Sequence, residues 1–383
     1  MRIRSIKVEE KGNHVIVSAK CKIRVVGDDT VYFKLDKKYK DFISADASSF
    51  AAALLIPSMR RGEDLIIDGS ISRELYNGLK QIMKIMVGWN IGVSTIKIKA
   101  KKITPDKFKP TKTASMFSGG VDSFYTYLSN KKKGNKIDYF ILINGFDIEL
   151  DNPDLWTSTF ETVKKIADHE KVGLITVESN LYRLVGPVYS WDYSSGGCLA
   201  SVMILLRKGL KKVYYPSSYR TDQLFPAGSH PLIDKYWSAE KLKVIHDGGT
   251  VSRFDKTQFI AKNKLVSEYL RVCYKNHKDI YNCGRCDKCL RTMIGLYIAG
   301  TLKNSKVFPK KINVNTVRKF KIVAEYSAIF QRENLAALEK TGKDPKLAAA
   351  LRESLKDVPP IDATSRETFS RKVLYFDHIA ALS

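Results

Sequence analysis

The chain has 383 residues, 44% of them hydrophobic, and a formal net charge of +25. This amount of apolar material is typical of a globular protein with two or three domains. No apolar run approaches the roughly 20 residues that cross a bilayer, and the start, MRIRSIKVEEKG, lacks the apolar stretch of a secretory signal. We therefore expect a cytoplasmic protein.

The positive charge is gathered in clusters, including KIKAKKITPDKFKPTK, NKKKGNK and VFPKKINVNTVRKFK. A basic surface attracts polyanions without regard to sequence. Transfer RNA or DNA could bind such a surface, but ATP, pyrophosphate and an acidic substrate also require positive potential. The chain has no interleaved aromatic and basic repeat and no nucleic-acid fingerprint, so charge alone does not choose between these ligands.

Residues 1–105 are predicted to form an N-terminal α+β module. Alternating apolar residues between positions 15 and 25 predict a strand, and TVYFKLD predicts another. Apolar residues at steps of four and three between Ser72 and Trp89 predict an amphipathic helix on that sheet. Strand-like DLIIDGS and STIKIKAKKI flank the helix. We interpret Cys21 as a small core residue.

Residues 111–300 are predicted to form an α/β domain with a parallel, doubly wound sheet. Alternation of short apolar strands with helical stretches is typical of a sheet that helices cover on both faces. The predicted strands are Ala114–Phe117, Tyr139–Ile143, Leu174–Val177 and Val213–Tyr215.

The hexapeptide SGGVDS at positions 118–123 joins the first of these strands to a helix. Adjacent glycines expose backbone amides, and the following helix points the positive end of its dipole at the same place. The motif therefore predicts nucleotide phosphates, although an ordinary strand-to-helix connection is the alternative. Asp122 can face a phosphate only across a magnesium ion or a pair of donors. Predicted ATP-binding residues are Ser118, Gly119, Gly120, Val121, Asp122 and Ser123, with Ser217 and Ser218 from the strand VYYPSS.

Four of the six cysteines fall within RVCYKNHKDIYNCGRCDKCLRTM. Four thiolates close a tetrahedral zinc site and leave no open position, which favours a structural metal. An iron–sulfur cluster and a redox-active pair are the alternatives. Arg285, Lys288 and Arg291 offset the thiolate charge in this interpretation, and His277 is a less favoured ligand than the cysteines. The predicted zinc ligands, in the segment 273–289, are Cys273, Cys283, Cys286 and Cys289.

Two further segments, PAGSHPLIDKYW and IHDGGTVSRFDK, contain two of the six histidines. Histidine and aspartate at loop tips beside the carboxyl edge of a sheet suit substrate groups, while capped turns on a basic surface are the alternative. We interpret His230 as a group that orients or deprotonates a nucleophile, and Arg253 and Lys256 as phosphate-neutralising cations. Predicted substrate-binding residues are Ser229, His230, His246, Asp247, Arg253 and Lys256; predicted catalytic residues are Asp122, His230 and Lys256.

The SGGVDS loop resembles that of the N-type ATP pyrophosphatases, which include asparagine synthetase-like, GMP synthetase-like and tRNA-thiolating enzymes. With a lone cysteine and CxxCxxC following it, the stretch from Thr113 to Gly300 resembles the 7-cyano-7-deazaguanine synthase family. The resemblance implies an adenine nucleotide alpha-hydrolase-like sheet, ATP with Mg²⁺ as cofactors, a homodimer, and adenine near Asn144, Gly145 and Phe146. It also implies that a carboxylate is adenylated, that ammonia converts it to an amide, and that a second adenylation gives a nitrile.

The chain departs from this family at both ends, because a module precedes the loop and a helical extension, residues 301–383, follows it. We interpret that extension as a packing or partner-binding appendage. Synthase-like paralogues with extra modules also occur in bacterial anti-phage operons, so 7-carboxy-7-deazaguanine is one candidate acid among others. The alternatives are a tRNA-modifying enzyme, a defence-complex subunit that conjugates the activated acid to a partner protein, and a nucleotide-binding scaffold without turnover.

Overall fold

The computed structural model describes residues 1–23, 29–275, 280–322 and 325–358. Ten strands within these residues form one sheet. In chain order they are β1 Arg2–Lys11, β2 His14–Cys21, β3 Asp29–Asp36, β4 Leu65–Ser72, β5 Ile98–Thr104, β6 Lys112–Met116, β7 Tyr139–Asn144, β8 Gly173–Ser179, β9 Leu210–Pro216 and β10 Lys243–Asp247.

The strand order is β10-β9-β6-β7-β8-β3-β2-β1-β4-β5, and six of the nine pairings are parallel. The chain runs outward from β6 through β7 to β8, then crosses back to place β9 and β10 on the other side of β6. The order of the strands therefore reverses between β6 and β9, which is where open α/β sheets bind ligands. The predicted parallel strands of the α/β domain are confirmed.

Thirteen α-helices lie within the described residues. They are α1 Ser48–Arg61, α2 Arg73–Gly88, α3 Val121–Lys132, α4 Pro153–Glu170, α5 Leu181–Val185, α6 Trp191–Leu205, α7 Pro231–Asp234, α8 Arg253–Ile260, α9 Lys264–Tyr269, α10 Asp287–Ile298, α11 Val314–Lys319, α12 Glu325–Thr341 and α13 Pro345–Leu355. No helix among these residues combines the length and apolarity needed to span a membrane.

Strand β7 shows how the sheet separates two cores. Ile141 and Ile143 pack in one buried cluster, which includes side chains of α1, α2 and α6. Phe140 and Leu142 pack in the other, which includes side chains of α3 and α4. Because successive side chains of a strand point to opposite faces, an apolar strand of this kind is buried on both sides.

The strands of the N-terminal module belong to the same sheet as the α/β domain. β3 pairs antiparallel with β8, so that Phe33 lies opposite Ser179 and Leu35 lies opposite Val177. The buried cluster that contains Phe33 also contains Cys21 and Cys198, whose side chains are fully buried. Sheet and core thus continue between residues 1–105 and 111–300, whose limits as separate domains stay a prediction.

The C-terminal extension is helical over the described residues, as predicted. α12 packs on α10, and α13 packs on α11 and α12. Leu290 and Ile294 of α10 contribute to a third apolar cluster with these helices. The predicted break at Pro359–Pro360 and the tail that follows lie outside the described residues, as do Val25 and His277.

Candidate functional site

A cavity of about 440 Å³ opens at the carboxyl ends of β6, β7, β9 and β10. It lies at the reversal of strand order between β6 and β9, where a ligand can sit between two diverging loops. One of these loops is SGGVDS, and the other follows β9 at Ser217–Tyr219. The lining includes Ser118, Gly120, Val121, Asp122, Ser123, Phe146, Ser217, Ser218, Ser229, His246 and Arg253 from the predicted set.

The SGGVDS loop turns at Gly119, whose φ of +75° lies in the left-handed region that glycine adopts without strain. Gly120 is the N-cap of α3, so the first amides of this 12-residue helix open toward the cavity. The backbone N–H of Arg271 donates to the carbonyl of Gly119 at 2.9 Å and anchors the loop. The Ser123 hydroxyl donates to the Gly120 carbonyl at 2.9 Å, so it stabilises the turn in this structure.

Three donors surround the carboxylate of Asp122 on the first turn of α3. Arg253 donates to Oδ2, Ser218 Oγ donates to the same oxygen at 3.2 Å, and Lys256 Nζ lies 3.8 Å from Oδ1. The sequence predicted either a magnesium ion or a pair of donors beside this carboxylate, and the structure places donors there. The cations neutralise it and leave the loop amides free to meet an anion.

Lys256 is buried beneath the site. Its Nζ donates to the Ser217 carbonyl at 2.6 Å. The pKa of Lys256 is lowered overall, because the effect of burial is larger than the opposing effect of the Asp122 carboxylate. Lys256 is absent from the cavity wall, so its predicted contact with substrate is corrected to a link between the loop after β9 and Asp122.

Among the described residues, four lysine or arginine side chains line the cavity: Arg253, Arg271, Lys288 and Arg291. Arg271 is only 6% exposed, and its Nε has no hydrogen-bond partner among the described residues. Arg291 Nη1 donates to Asp287 at 3.0 Å, but its Nε, like that of Arg271, has no hydrogen-bond partner within the described ranges. A buried donor without a hydrogen-bond partner is costly, so the two unpartnered Nε groups mark a place for an anion.

Sequence reasoning missed the cavity role of Arg271, and it assigned Lys288 and Arg291 to charge balance at the cysteines. The available signal was their position, since RVC and CLR place an arginine just outside each end of the cysteine segment. The segment that holds the thiolates thus also presents cations to the cavity.

His246 lies at the end of β10, so the structure corrects its expected position in a loop. Its Nδ1 is 2.7 Å from Oδ2 of Asp234, a fully buried carboxylate that also accepts the Ser229 hydroxyl at 2.7 Å. His246 and Ser229 line the cavity, whereas Asp234 orients them from behind. Asp234 was not predicted, because a single aspartate in PLID carries no motif.

His230 does not line the cavity, which corrects its predicted placement at the reacting groups. Its Nδ1 accepts the backbone N–H of Leu232 at 3.1 Å as the N-cap of α7, and its ring packs 5.0 Å from that of Trp89. Burial lowers the pKa of His230. The structure thus places this histidine in a capped turn, the alternative stated above.

Four other predicted residues also lie outside the cavity lining: Gly119, Asn144, Gly145 and Asp247. Asn144 Nδ2 donates to Glu178 at 3.4 Å, and Asn130 Nδ2 donates to Asp247 at 3.4 Å. Gly145 has a φ of +93° and forms the turn after β7. Phe146 does line the cavity and packs edge-on against Trp191 at 5.3 Å.

The four predicted metal ligands come together, with all four Sγ atoms within 4.8 Å of one another. Cys273 and Cys286 are 3.9 Å apart, as are Cys283 and Cys289. A tetrahedron with Zn–S bonds of about 2.3 Å has sulfur–sulfur separations of about 3.8 Å, so the group fits zinc.

Asn282 holds the two arms of this cluster together. Its Oδ1 accepts the backbone N–H groups of Val272 at 2.9 Å and Cys273 at 3.2 Å. Gly284, with a φ of +67°, lets the chain turn between ligands. The arrangement can hold a metal such as zinc, with no position left open for a substrate.

Comparison with protein-family models, with curated proteins and with solved structures found no match to this chain.

Proposed function

We propose that the protein is an ATP-dependent enzyme of the N-type pyrophosphatase kind that activates a carboxylate as an adenylate. The observation that carries the proposal is the SGGVDS loop at the sheet's switch point, facing buried cations with unpartnered donors. MgATP is the substrate that matches this surface. Its pyrophosphate group would lie between the amides at the start of α3 and the guanidinium of Arg271.

The bond changes follow from this placement. A carboxylate oxygen of the acid attacks the α-phosphorus of ATP, the α,β-bridging bond breaks, and pyrophosphate leaves. The products of this step are an acyl-adenylate and pyrophosphate, whose charge Arg271 and Arg253 stabilise as it develops. A nitrogen nucleophile then attacks the acyl carbon, AMP leaves with the carboxylate oxygen, and the nitrogen loses a proton.

The aromatic residues of the cavity lining suit a planar, aromatic acid. Phe146, Trp191, Tyr215 and Phe225 are among them and offer ring faces and edges. The resemblance to the 7-cyano-7-deazaguanine synthase family makes 7-carboxy-7-deazaguanine the first acid to try. Ammonia would give an amide and then, after a second adenylation, a nitrile; an amine on a partner protein would give a conjugate.

The zinc cluster has a structural part in this proposal. Zinc bound by Cys273, Cys283, Cys286 and Cys289 would fix the segment that carries Arg271, Lys288 and Arg291. The Asp122 carboxylate does not fit a metal ligand, since Arg253 and Lys256 already neutralise it, and no step is assigned to a metal there.

A second candidate is a tRNA-modifying enzyme, which the basic surface favours. Strand β5 forms one edge of the sheet, and its Lys99, Lys101 and Lys102 are exposed. A polynucleotide that co-purifies with the protein and stimulates ATP cleavage would select this candidate over the small-molecule synthase.

The test is to incubate purified protein with MgATP, with and without 7-carboxy-7-deazaguanine and ammonium, and to identify the products by mass spectrometry. Release of AMP and pyrophosphate in equal amounts, dependent on the acid, supports the proposal, with an amide or nitrile as product. ADP and phosphate as the only nucleotide products would contradict it, because they report cleavage of the β,γ bond. AMP formation that requires tRNA or a protein acceptor instead would identify the nucleophile's class.

A further inference from the structure

The C-terminal helix α12 contacts the cavity from behind, although the sequence favoured an appendage. Phe330 is 3% exposed and stacks on Tyr219 with ring centroids 4.8 Å apart. The guanidinium carbon of Arg291 lies 4.1 Å from the centroid of the Phe330 ring, and that of Arg253 lies 5.8 Å from it. One ring therefore touches two of the four cations that line the cavity.

Two hydrogen bonds fix α12 to the helices that carry these arginines. Asn334 Nδ2 donates to the carbonyl of Arg291 at 2.9 Å. Glu333 Oε2 accepts the backbone N–H of Phe254 at 3.0 Å, within the first turn of α8. A carboxylate at the start of a helix stabilises that end of its dipole. Through these two bonds α12 fixes the positions of α8 and α10 relative to the Phe330 ring.

The two guanidinium groups need such support because they repel each other within a buried site. Each has one Nη bonded to a carboxylate, Arg253 to Asp122 and Arg291 to Asp287. Each also keeps an Nε without a partner among the described residues. An aromatic face attracts a cation and restrains the plane of the guanidinium group, which leaves the unpartnered donors to meet an anion.

We propose that Phe330 is a positioning residue that holds Arg253 and Arg291 in the orientation that binds the phosphates of the nucleotide. The inference rests on the proposed function, since it requires that the cavity binds ATP. It assigns to the C-terminal helix a part in ligand binding that is separate from its packing in the third apolar cluster.

The test compares three variants with the wild type by calorimetric titration with MgATP and with pyrophosphate. Phe330→Leu removes the ring and keeps an apolar side chain, while Phe330→Tyr keeps the ring. Leu338→Ala is the matched control, since Leu338 is buried in the same helix but packs in the third cluster. We expect Phe330→Leu to raise both dissociation constants by about threefold to tenfold, and the other two variants to bind like the wild type.

Zinc content and thermal unfolding show that each variant is folded before it is titrated. Wild-type affinity in Phe330→Leu overturns the inference, and so does an equal loss in Leu338→Ala. Loss of ATP binding with unchanged pyrophosphate binding also overturns it, because pyrophosphate has no base or sugar. A wild-type protein that binds neither ligand would overturn the proposed function itself, and the inference with it.

Discussion

The guanidinium group of Arg253 donates to the carboxylate of Asp122, 131 positions earlier in the chain. The contact joins the first turn of α8 to the first turn of α3. Asp122 therefore has two roles in the structure, since it neutralises the buried cations Arg253 and Lys256 and belongs to the SGGVDS loop.

Replacing Asp122 with asparagine should reduce both stability and ATP turnover. The variant leaves Arg253 and Lys256 without their counter-charge, and breaking a buried ion pair of this kind costs about 3 kcal/mol. Urea unfolding and AMP release measure the two effects. Glu268→Gln, which removes an ion pair on the surface with Lys306, should be close to wild type in both. Unchanged stability in Asp122→Asn would show that the pair is not a structural link.

Arg271→Ala should weaken pyrophosphate binding and leave the fold at least as stable. Arg271 has no carboxylate partner among the described residues, so its removal strands no buried charge. A hydrogen bond to a charged group contributes roughly 1.5–3 kcal/mol, which corresponds to a rise in the dissociation constant of about tenfold to a hundredfold. Titration with pyrophosphate measures it. A strong loss of stability with unchanged affinity would instead indicate a structural arginine.

Cys286→Ser should remove one metal ligand and with it the metal. We expect zinc content, measured by atomic emission, to fall from about one per chain toward zero. The free energy of unfolding should fall by more than about 4 kcal/mol, since metal loss is among the largest single-site effects. Cys21→Ala is the control, because Cys21 is buried in β2, apart from the cluster. If the wild type instead contains iron and acid-labile sulfide, the four cysteines hold an iron–sulfur cluster and not zinc.

His230 should make the protein less stable in mild acid. Burial lowers its pKa in the folded state below the ordinary value of 6.5, with Asp234 opposing and His246 adding to the shift. The unfolded chain therefore takes up the proton first, so the stability that the neutral ring contributes is present above pH 6.5. That stability is lost as the pH falls toward the folded-state pKa. Protonation of Nδ1 would also break the cap on Leu232.

The comparison for this prediction is His230→Asn, which keeps a side chain that caps helices well. Its free energy of unfolding, from urea titrations at pH 5 to 8, should vary less with pH than that of the wild type. Parallel curves for the two proteins would contradict the assignment of this pH dependence to His230.

Gly196→Ala should disrupt the wall of the cavity. A Cβ at Gly196 would lie 1.6 Å from the carbonyl oxygen of Gly228, so α6 and the segment before Ser229 must separate. Overpacking of this severity costs about 3 kcal/mol or more. Gly88→Ala is the matched control, since nothing lies within 4 Å of a Cβ there and it should stabilise α2 by about 0.5–1 kcal/mol. Thermal unfolding measures the stability of both variants. A Gly196→Ala variant as stable as the wild type would contradict the close packing of α6 on Gly228.

The sequence was sufficient where local patterns determine structure. Alternation predicted β2 and β3, spacing of apolar residues predicted α2, and the two motifs predicted the strand–loop–helix turn at SGGVDS and the cysteine cluster. It was insufficient where contacts join distant segments. Whether Arg271 has a carboxylate partner, and whether Asp234 is buried, depends on side chains from distant segments. Strand β1 has a mostly polar, exposed sequence, so its pairing with β2 and β4 had no alternating signal.

The pairing of β3 with β8 has a consequence for how the chain is made. β3 ends at Asp36, but its neighbour begins at Gly173, so well over a hundred residues must leave the ribosome before that edge is covered. Until then β3 pairs only with β2 and its other edge is open, and an open strand edge invites association with other chains. A shortened gene that stops at residue 105, the end of the predicted N-terminal module, would fix the protein in that unfinished state. Expression of all 383 residues together is therefore the sound starting point for every experiment above.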